Sequence, residues 1–85
     1  MTIADDASIL SVAGHAPQVH PAAFVASGAR VIGSVVLAEG SSVWYNAVVR
    51  GDSESITLGV GSNLQDNVSV HVDRGSPVVI GENVS

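Results

Sequence analysis

Aliphatic residues recur along this chain at an interval of six. Six consecutive positions of the series are valine or leucine, namely Val19, Val25, Val31, Leu37, Val43 and Val49. The series resumes at Leu58, Leu64 and Val70, and near the end either Val78 and Val84 or Ile80 alone continues it. A strand alternates with period two and a helix repeats at about 3.6, so neither produces this spacing. A coil with three flat faces does, because each face takes one short strand before the chain turns a corner.

A longer repeat marks whole coils. Similar segments begin at residues 37, 58 and 80, with the sequences LAEGSS, LGVGSN and IGENVS, so the intervals are 21 and 22 residues. Three hexads account for 18 residues of each interval, which leaves insertions of three or four. We predict that these insertions are loops at the polar segments SES (53–55) and RGSP (74–77), because both are rich in turn-forming residues.

These spacings predict an all-β fold, a parallel β-helix of hexapeptide repeats with about three coils. Residues 19–85 are assigned to the β-helix, and residues 1–18 to an N-terminal lead-in and cap. The printed sequence stops at the start of a coil, so we expect a β-helix that is incomplete at its C-terminal end. The six-residue spacing does not determine the handedness of the coil.

Composition narrows the function classes. Aromatic residues make up only 4% of a chain that is 46% hydrophobic, which suits a narrow core of small aliphatic side chains. The net charge of −5, with three arginines and no lysine, disfavours a nucleic-acid partner. There is no cysteine, no segment of membrane-spanning length and no signal-peptide pattern, so we expect a cytoplasmic protein without membrane partners.

The repeat also predicts which polar residues stack. His71 follows the anchor Val70 and Arg50 follows the anchor Val49, so both should point outward, one above the other. Gln65 and Trp44 should share the equivalent column on the neighbouring face. Zinc requires three or four ligands, and His15 and His20 lie in the N-terminal segment without ligand spacing to His71. From the residues alone, His71 is therefore interpreted as a polar residue on the outer face of a strand.

Three segments carry a family resemblance: VWYNAVVRGD, SNLQDNVSVHVD and VVIGENVS. Together they resemble the γ-class carbonic anhydrases and related hexapeptide-repeat proteins. The resemblance implies a left-handed β-helix that assembles as a homotrimer, with zinc held between subunits. It also implies roles for five residues. His71 matches the first of three histidine ligands, and Gln65 matches the glutamine near the metal-bound water. Arg50, Asp52 and Asp66 match residues tied to the active site and to an intersubunit ionic network.

The resemblance implies zinc-dependent reversible hydration of CO2 to bicarbonate, but two features depart from the family pattern. The family's other two histidine ligands lie downstream of the segment present here, so we expect this 85-residue chain to be inactive by itself. Ser53 follows Asp52, at the position where the most active members of the family carry an acidic residue. Two alternatives stay open: a hexapeptide-repeat acyltransferase, and a non-catalytic trimeric scaffold that keeps the fold without the metal.

Overall fold

A computed structural model describes residues 2–85, and this part of the chain contains strands and turns but no helix. No helix that could cross a membrane is therefore found among the described residues. The strands are β1 (Thr2–Ile3), β2 (Ser8–Leu10), β3 (Gln18–Val19), β4 (Phe24–Val25), β5 (Arg30–Leu37), β6 (Ser42–Val43), β7 (Val48–Leu58), β8 (Asn63–Leu64), β9 (Ser69–His71) and β10 (Val78–Ile80). Most are short because β-branched runs alternate with turns every few residues.

The strands stack in parallel along three faces, which confirms the predicted parallel β-helix. Face 1 is the four-stranded sheet β1-β4-β6-β8. Face 2 pairs β2 with the first part of β5, that part with the first part of β7, and β7 with β9. Face 3 pairs β3, the second part of β5, the second part of β7 and β10.

The six-residue series forms the core, with one column of anchors inside each face. On face 3, for example, Leu37 pairs with both Val19 and Leu58, and Leu58 pairs with Ile80. Val35 and Ile56 also point inward on this face, and each is almost fully buried. The register thus decides the alternatives left open near the end: Ile80 continues the anchor column, whereas Val84 is 45% exposed.

Residues 2–19 form a coil of their own, below the three predicted from residue 19 onward. β1 pairs with β4, and both β2 and β3 pair with β5. Ile3 and Ile9 stand six residues apart and lie in register with Val25 and Val31, so the hexad series begins earlier than the sequence analysis placed it. The predicted boundary at residue 18 therefore falls inside β3. Ile3, Ile9 and Val19 still cover the lower end of the core, where they pack half-buried against it.

All the insertions fall at one corner, between faces 2 and 3, which we call the inserted corner. In the first coil it is the turn closed by the bridge between Val12 and His15, and in the last coil the turn closed by Asp73 and Ser76. The second of these confirms the loop predicted at RGSP. The loop predicted at SES is wrong in form: residues 53–55 lie within β7, as a bulge opposite the register shift between Gly33 and Val35. The extra residues are accommodated while β7 keeps its pairing on both sides of the bulge.

Candidate functional site

His71 lies on the outer side of face 2, as the last residue of β9. The neighbouring Val72 is buried, and strand alternation turns the His71 side chain away from the core, where it is exposed. The parallel ladder places His71 in register with Arg50 and Arg50 with Ile32, which in turn pairs with Leu10. The predicted stacking of His71 on Arg50 is therefore confirmed, and the two residues end an otherwise aliphatic outer column.

Arg50 and Asp52 form an ion pair at the end of the same strand segment. The Nε atom of Arg50 lies 3.3 Å from Oδ2 of Asp52, with the side chains 53% and 40% exposed. An ion pair at this exposure stabilises a single chain by at most about 1 kcal/mol, because water screens both charges. Within one copy of the chain the pair therefore contributes little, and both groups are accessible to a partner.

Gln65 and Asp66 lie at the corner between faces 1 and 2, one corner away from His71. Because Val43 pairs with Leu64, the following residues Trp44 and Gln65 share one column, as predicted. The Gln65 amide nitrogen donates a hydrogen bond to Oδ1 of Asn63, which orients the amide and leaves its oxygen available. Asp66 is exposed in the turn that follows, where Asn67 adopts a positive φ of 62°.

Trp44 packs within the chain and does not stand free on this corner. Its ring lies 5.1 Å from that of Phe24 between centroids and 6.0 Å from that of Tyr45. The indole N–H donates a hydrogen bond of 2.9 Å to the Ser42 hydroxyl. The aromatic cluster beside Gln65 is thus anchored on face 1, and only Tyr45, at 49% exposure, presents a large free surface.

The same corner carries a titratable group in the first coil. The Ser27 hydroxyl donates a hydrogen bond of 2.6 Å to the Asp6 carboxylate, and this bond holds the pKa of Asp6 below its ordinary value. The backbone N–H groups of the turn and the Arg30 guanidinium act in the same direction. Asp6 therefore stays ionised as the link between the first two coils.

Two adjoining cavities lie beside the inserted corner, of about 370 Å³ and about 230 Å³. They share His15, Ser34 and Ser55 in their linings, and the smaller one also includes Asp52. The cavities exist because the second coil has no insertion, so a notch remains between the turn at residues 12–15 and the bulge in β7. His71 and Gln65 line neither cavity, and of the five predicted site residues Asp52 alone borders one of these two cavities.

The described residues supply too few ligands to hold a metal by themselves. No group of three His, Cys, Asp or Glu side chains converges anywhere within residues 2–85. His71 provides one imidazole, and the Asp52 carboxylate in the coil below is paired with Arg50. Zinc requires at least three protein ligands, so a complete site needs groups from outside this part of the chain.

Ser53 and Glu54 form a pair of contacts to the next coil that the sequence pattern did not predict. Ser53 donates a hydrogen bond of 3.0 Å to the carbonyl of Val72, and a Glu54 carboxylate oxygen accepts one of 3.1 Å from the N–H of Gly75. Both bonds reach from β7 to the segment that follows His71. The sequence did contain a signal for these contacts. One insertion follows Arg50 and another follows His71, so the two insertions are expected to stack at the same corner.

Comparison with known proteins gives relatives over most of this chain. It is 43% identical over 84 residues to gamma carbonic anhydrase 3, mitochondrial, of Arabidopsis thaliana, which covers 92% of this chain and 33% of the relative. A probable carbonic anhydrase of Methanocaldococcus jannaschii is 49% identical over 61 residues, covering 72% of this chain and 38% of its own length. The carbonic anhydrase of Geobacillus kaustophilus is 36% identical over 72 residues, covering 85% and 40%. No protein-family model matches.

Solved structures give the same fold under other names. A hexapeptide transferase family protein from Anaplasma phagocytophilum superimposes with a TM-score of 0.82 at 41% identity, over 88% of this chain and 43% of its own. A putative acetyltransferase from Bacillus cereus gives a TM-score of 0.83 at 29% identity, over 91% and 45%. This chain thus spans about a third to under a half of the length of these proteins.

Proposed function

Because this chain belongs, over the segment it covers, to the γ-carbonic-anhydrase-like hexapeptide-repeat proteins, we propose that it supplies one side of a zinc site for the reversible hydration of CO2 to bicarbonate. The observation that supports this most directly is the ladder register that places His71 over Arg50 on an exposed outer face. In this proposal the chain acts within a homotrimer, and the remaining ligands come from outside residues 2–85.

Each predicted residue has a distinct task in the proposed site. His71 contributes a neutral imidazole nitrogen as a metal ligand. Gln65, whose amide nitrogen is held by Asn63, presents its amide oxygen to orient water or bicarbonate. Arg50 and Asp52 set the register between subunits, because their exposed ion pair can exchange partners across an interface. Asp66 extends the same ionic network. Zinc, when bound, supplies Lewis-acid activation of water for attack on carbon dioxide.

The metal content of the purified chain tests this proposal. We expect the 85-residue chain alone to retain negligible zinc, since one imidazole binds it weakly. In a longer protein that includes this segment, we expect about one zinc per subunit interface and its loss in His71→Ala. Elemental analysis with mass determination on the same sample gives the ratio, and His20→Ala is the matched control on an exposed histidine. Metal that survives His71→Ala would overturn the assignment.

Acyl transfer is the second candidate function, and the transferase names of the structural neighbours favour it. In that case a histidine would act as the base that deprotonates the acceptor group, and no metal would be required. Acetyl-coenzyme A turnover by a metal-free sample, lost in His71→Ala, would establish this alternative over the hydratase. Absence of both activities in a longer protein with this segment would leave the trimeric scaffold.

A further inference from the structure

The bulge in β7 and the turn after His71 are in direct contact. The Ser53 hydroxyl donates to the Val72 carbonyl at 3.0 Å, and the Gly75 N–H donates to Oε2 of Glu54 at 3.1 Å. Val72 and Gly75 lie one and four residues after His71. Two hydrogen bonds therefore join the bulge in one coil to Val72 and Gly75 in the next coil.

Glu54 is itself held in place by its own strand. Its second carboxylate oxygen, Oε1, accepts a hydrogen bond of 3.3 Å from the N–H of Ser55. The bulge is tight: a Cβ placed on Gly51 would lie 3.2 Å from the Glu54 carbonyl and 2.7 Å from that of Ser34. One carboxylate thus uses one oxygen for its own bulge and the other for the neighbouring coil.

Around His71 the chain is held by a short ladder and by the buried side chain of Val72. β9 is three residues long, and its pairing within the described residues is with β7 alone. The turn at residues 73–76 adds one backbone bridge, between Asp73 and Ser76. The bonds from Ser53 and Glu54 are side-chain hydrogen bonds that join Val72 and the turn at residues 73–76 to the bulge in β7.

Ser53 and Glu54 suit the two different backbone groups that they contact. A hydroxyl can donate to the Val72 carbonyl, whereas an ionised carboxylate carries no proton to donate and would face the carbonyl oxygen. Glu54, the next residue, accepts a hydrogen bond from the N–H of Gly75. Ser53 thus supplies a donor for the Val72 carbonyl, and Glu54 supplies an acceptor for the Gly75 N–H.

We infer that Glu54, together with Ser53, positions His71 by fastening the turn at residues 73–76 to β7, an inference that rests on the proposed role of His71. Glu54 acts through the backbone and touches neither metal nor substrate. Groups that hydrogen-bond directly to a metal ligand are worth about 10–100-fold in metal affinity, so a group that acts through the backbone is expected at or below the low end of that range.

The test compares Glu54→Ala, Glu54→Gln and the control Glu39→Ala, which removes the same charge from the exposed corner between faces 3 and 1. We call the two hydrogen bonds from Ser53 and Glu54 to Val72 and Gly75 the clasp. Amide hydrogen exchange, measured by NMR on the 85-residue chain, reports directly on whether the Gly75 bond of the clasp is formed. We expect the Gly75 N–H to exchange roughly ten times faster in Glu54→Ala, the equivalent of losing one hydrogen bond to a charged group. Glu54→Gln should recover most of the protection because its amide oxygen still accepts. Glu39→Ala should match the wild type.

The positioning of His71 has its own readouts. The ring proton resonances of His71 should shift in Glu54→Ala and return in Glu54→Gln. In a longer protein with this segment, His71-dependent Zn2+ affinity should fall about tenfold in Glu54→Ala and be rescued by glutamine. Unchanged Gly75 exchange in Glu54→Ala would overturn the clasp. Faster exchange with unmoved His71 resonances would overturn the positioning role. Absence of His71-dependent Zn2+ binding in the wild type counts against the proposed function, and the exchange data still decide the clasp.

Discussion

At the scale of single residues, glycine is required where two coils approach each other at the inserted corner. Gly33 has φ of +78°, and a Cβ added there would lie 2.4 Å from the carbonyl oxygen of Gly51 in the next coil. Gly14 has a similar φ of +82°, but a Cβ there meets nothing within 4 Å. The two glycines therefore separate the cost of left-handed backbone from the cost of crowding.

Alanine at these two positions should have unequal effects. Gly14→Ala should lower the free energy of unfolding by about 1–2 kcal/mol, the penalty of left-handed backbone for an L-residue. Gly33→Ala should lower it by roughly 2–5 kcal/mol, because the crowding of a backbone carbonyl adds to that penalty. Urea unfolding with fitted slopes measures both. Equal losses would show that the close approach of the two coils at Gly33 is relaxed in solution.

The Asp6–Ser27 hydrogen bond predicts a pH dependence. The folded pKa of Asp6 is lowered, so its contribution to stability is present above the ordinary aspartate pKa and is lost as the pH falls through the lowered value. Ser27→Ala should raise the pKa of Asp6 toward its ordinary value and thereby shrink this pH-dependent contribution to stability. Carboxyl-carbon NMR titration measures this, with the exposed Ser11→Ala as control. An unmoved Asp6 titration in Ser27→Ala would assign the shift to other groups.

At the scale of strands, burial alternates sharply along face 3. Ile56 is fully buried between Val35 and Val78, which pair with it on either side, whereas Val79 on β10 is 74% exposed. Ile56 and Val79 both belong to face 3, on the adjacent strands β7 and β10, but the Ile56 side chain points inward and the Val79 side chain points outward. Their difference in burial follows from the ladder register and not from residue type.

Truncating the two side chains should therefore differ in effect. Ile56→Ala should lower the free energy of unfolding by roughly 2–5 kcal/mol, since the narrow core cannot close over the cavity. Val79→Ala should change it by no more than about 0.5 kcal/mol. Thermal and urea unfolding of the two variants test the register of face 3. A large loss in Val79→Ala would place that side chain in a core.

At the scale of the whole molecule, the outer side of face 2 combines exposed charged groups with exposed aliphatic surface. The ion pair of Arg50 with Asp52 is exposed, and the outer column below it contains Leu10, 48% exposed, and the half-buried Ile32. If face 2 is the trimer interface that the family resemblance implies, Arg50 should contribute to assembly far more than to the stability of one chain. Desolvating an interface strengthens a charge interaction that water otherwise screens.

Arg50→Ala and Arg74→Ala separate these contributions, because both remove one positive charge. Arg74 is exposed in the turn at residues 73–76. Sedimentation velocity on a longer protein with this segment should show dissociation of the trimer in Arg50→Ala and not in Arg74→Ala. The free energy of unfolding of the isolated chain should change by less than about 1 kcal/mol in either. An intact trimer in Arg50→Ala would remove Arg50 from the interface.

The amino-acid sequence by itself determined the β-helix, its anchor columns and the stacking of Arg50 on His71. It could do so because each step from one face to the next takes six residues wherever there is no insertion, so spacing along the chain converts directly into position in space. The handedness does not follow from that spacing, since either sense accommodates hexads. The family resemblance supplied the candidate roles of Gln65, Arg50, Asp52, Asp66 and His71, which remain predictions.

Only the tertiary structure decided what happens where the spacing breaks. It showed that residues 53–55 form a bulge within β7, that residues 2–19 make a coil, and that Glu54 reaches Gly75 in the next coil. An insertion can form a loop outside the strand ladder or a bulge within it. The number of inserted residues is the same in the two cases, so the sequence spacing does not distinguish them. Backbone pairing and side-chain hydrogen bonds between coils select one, and those contacts join residues about 20 positions apart.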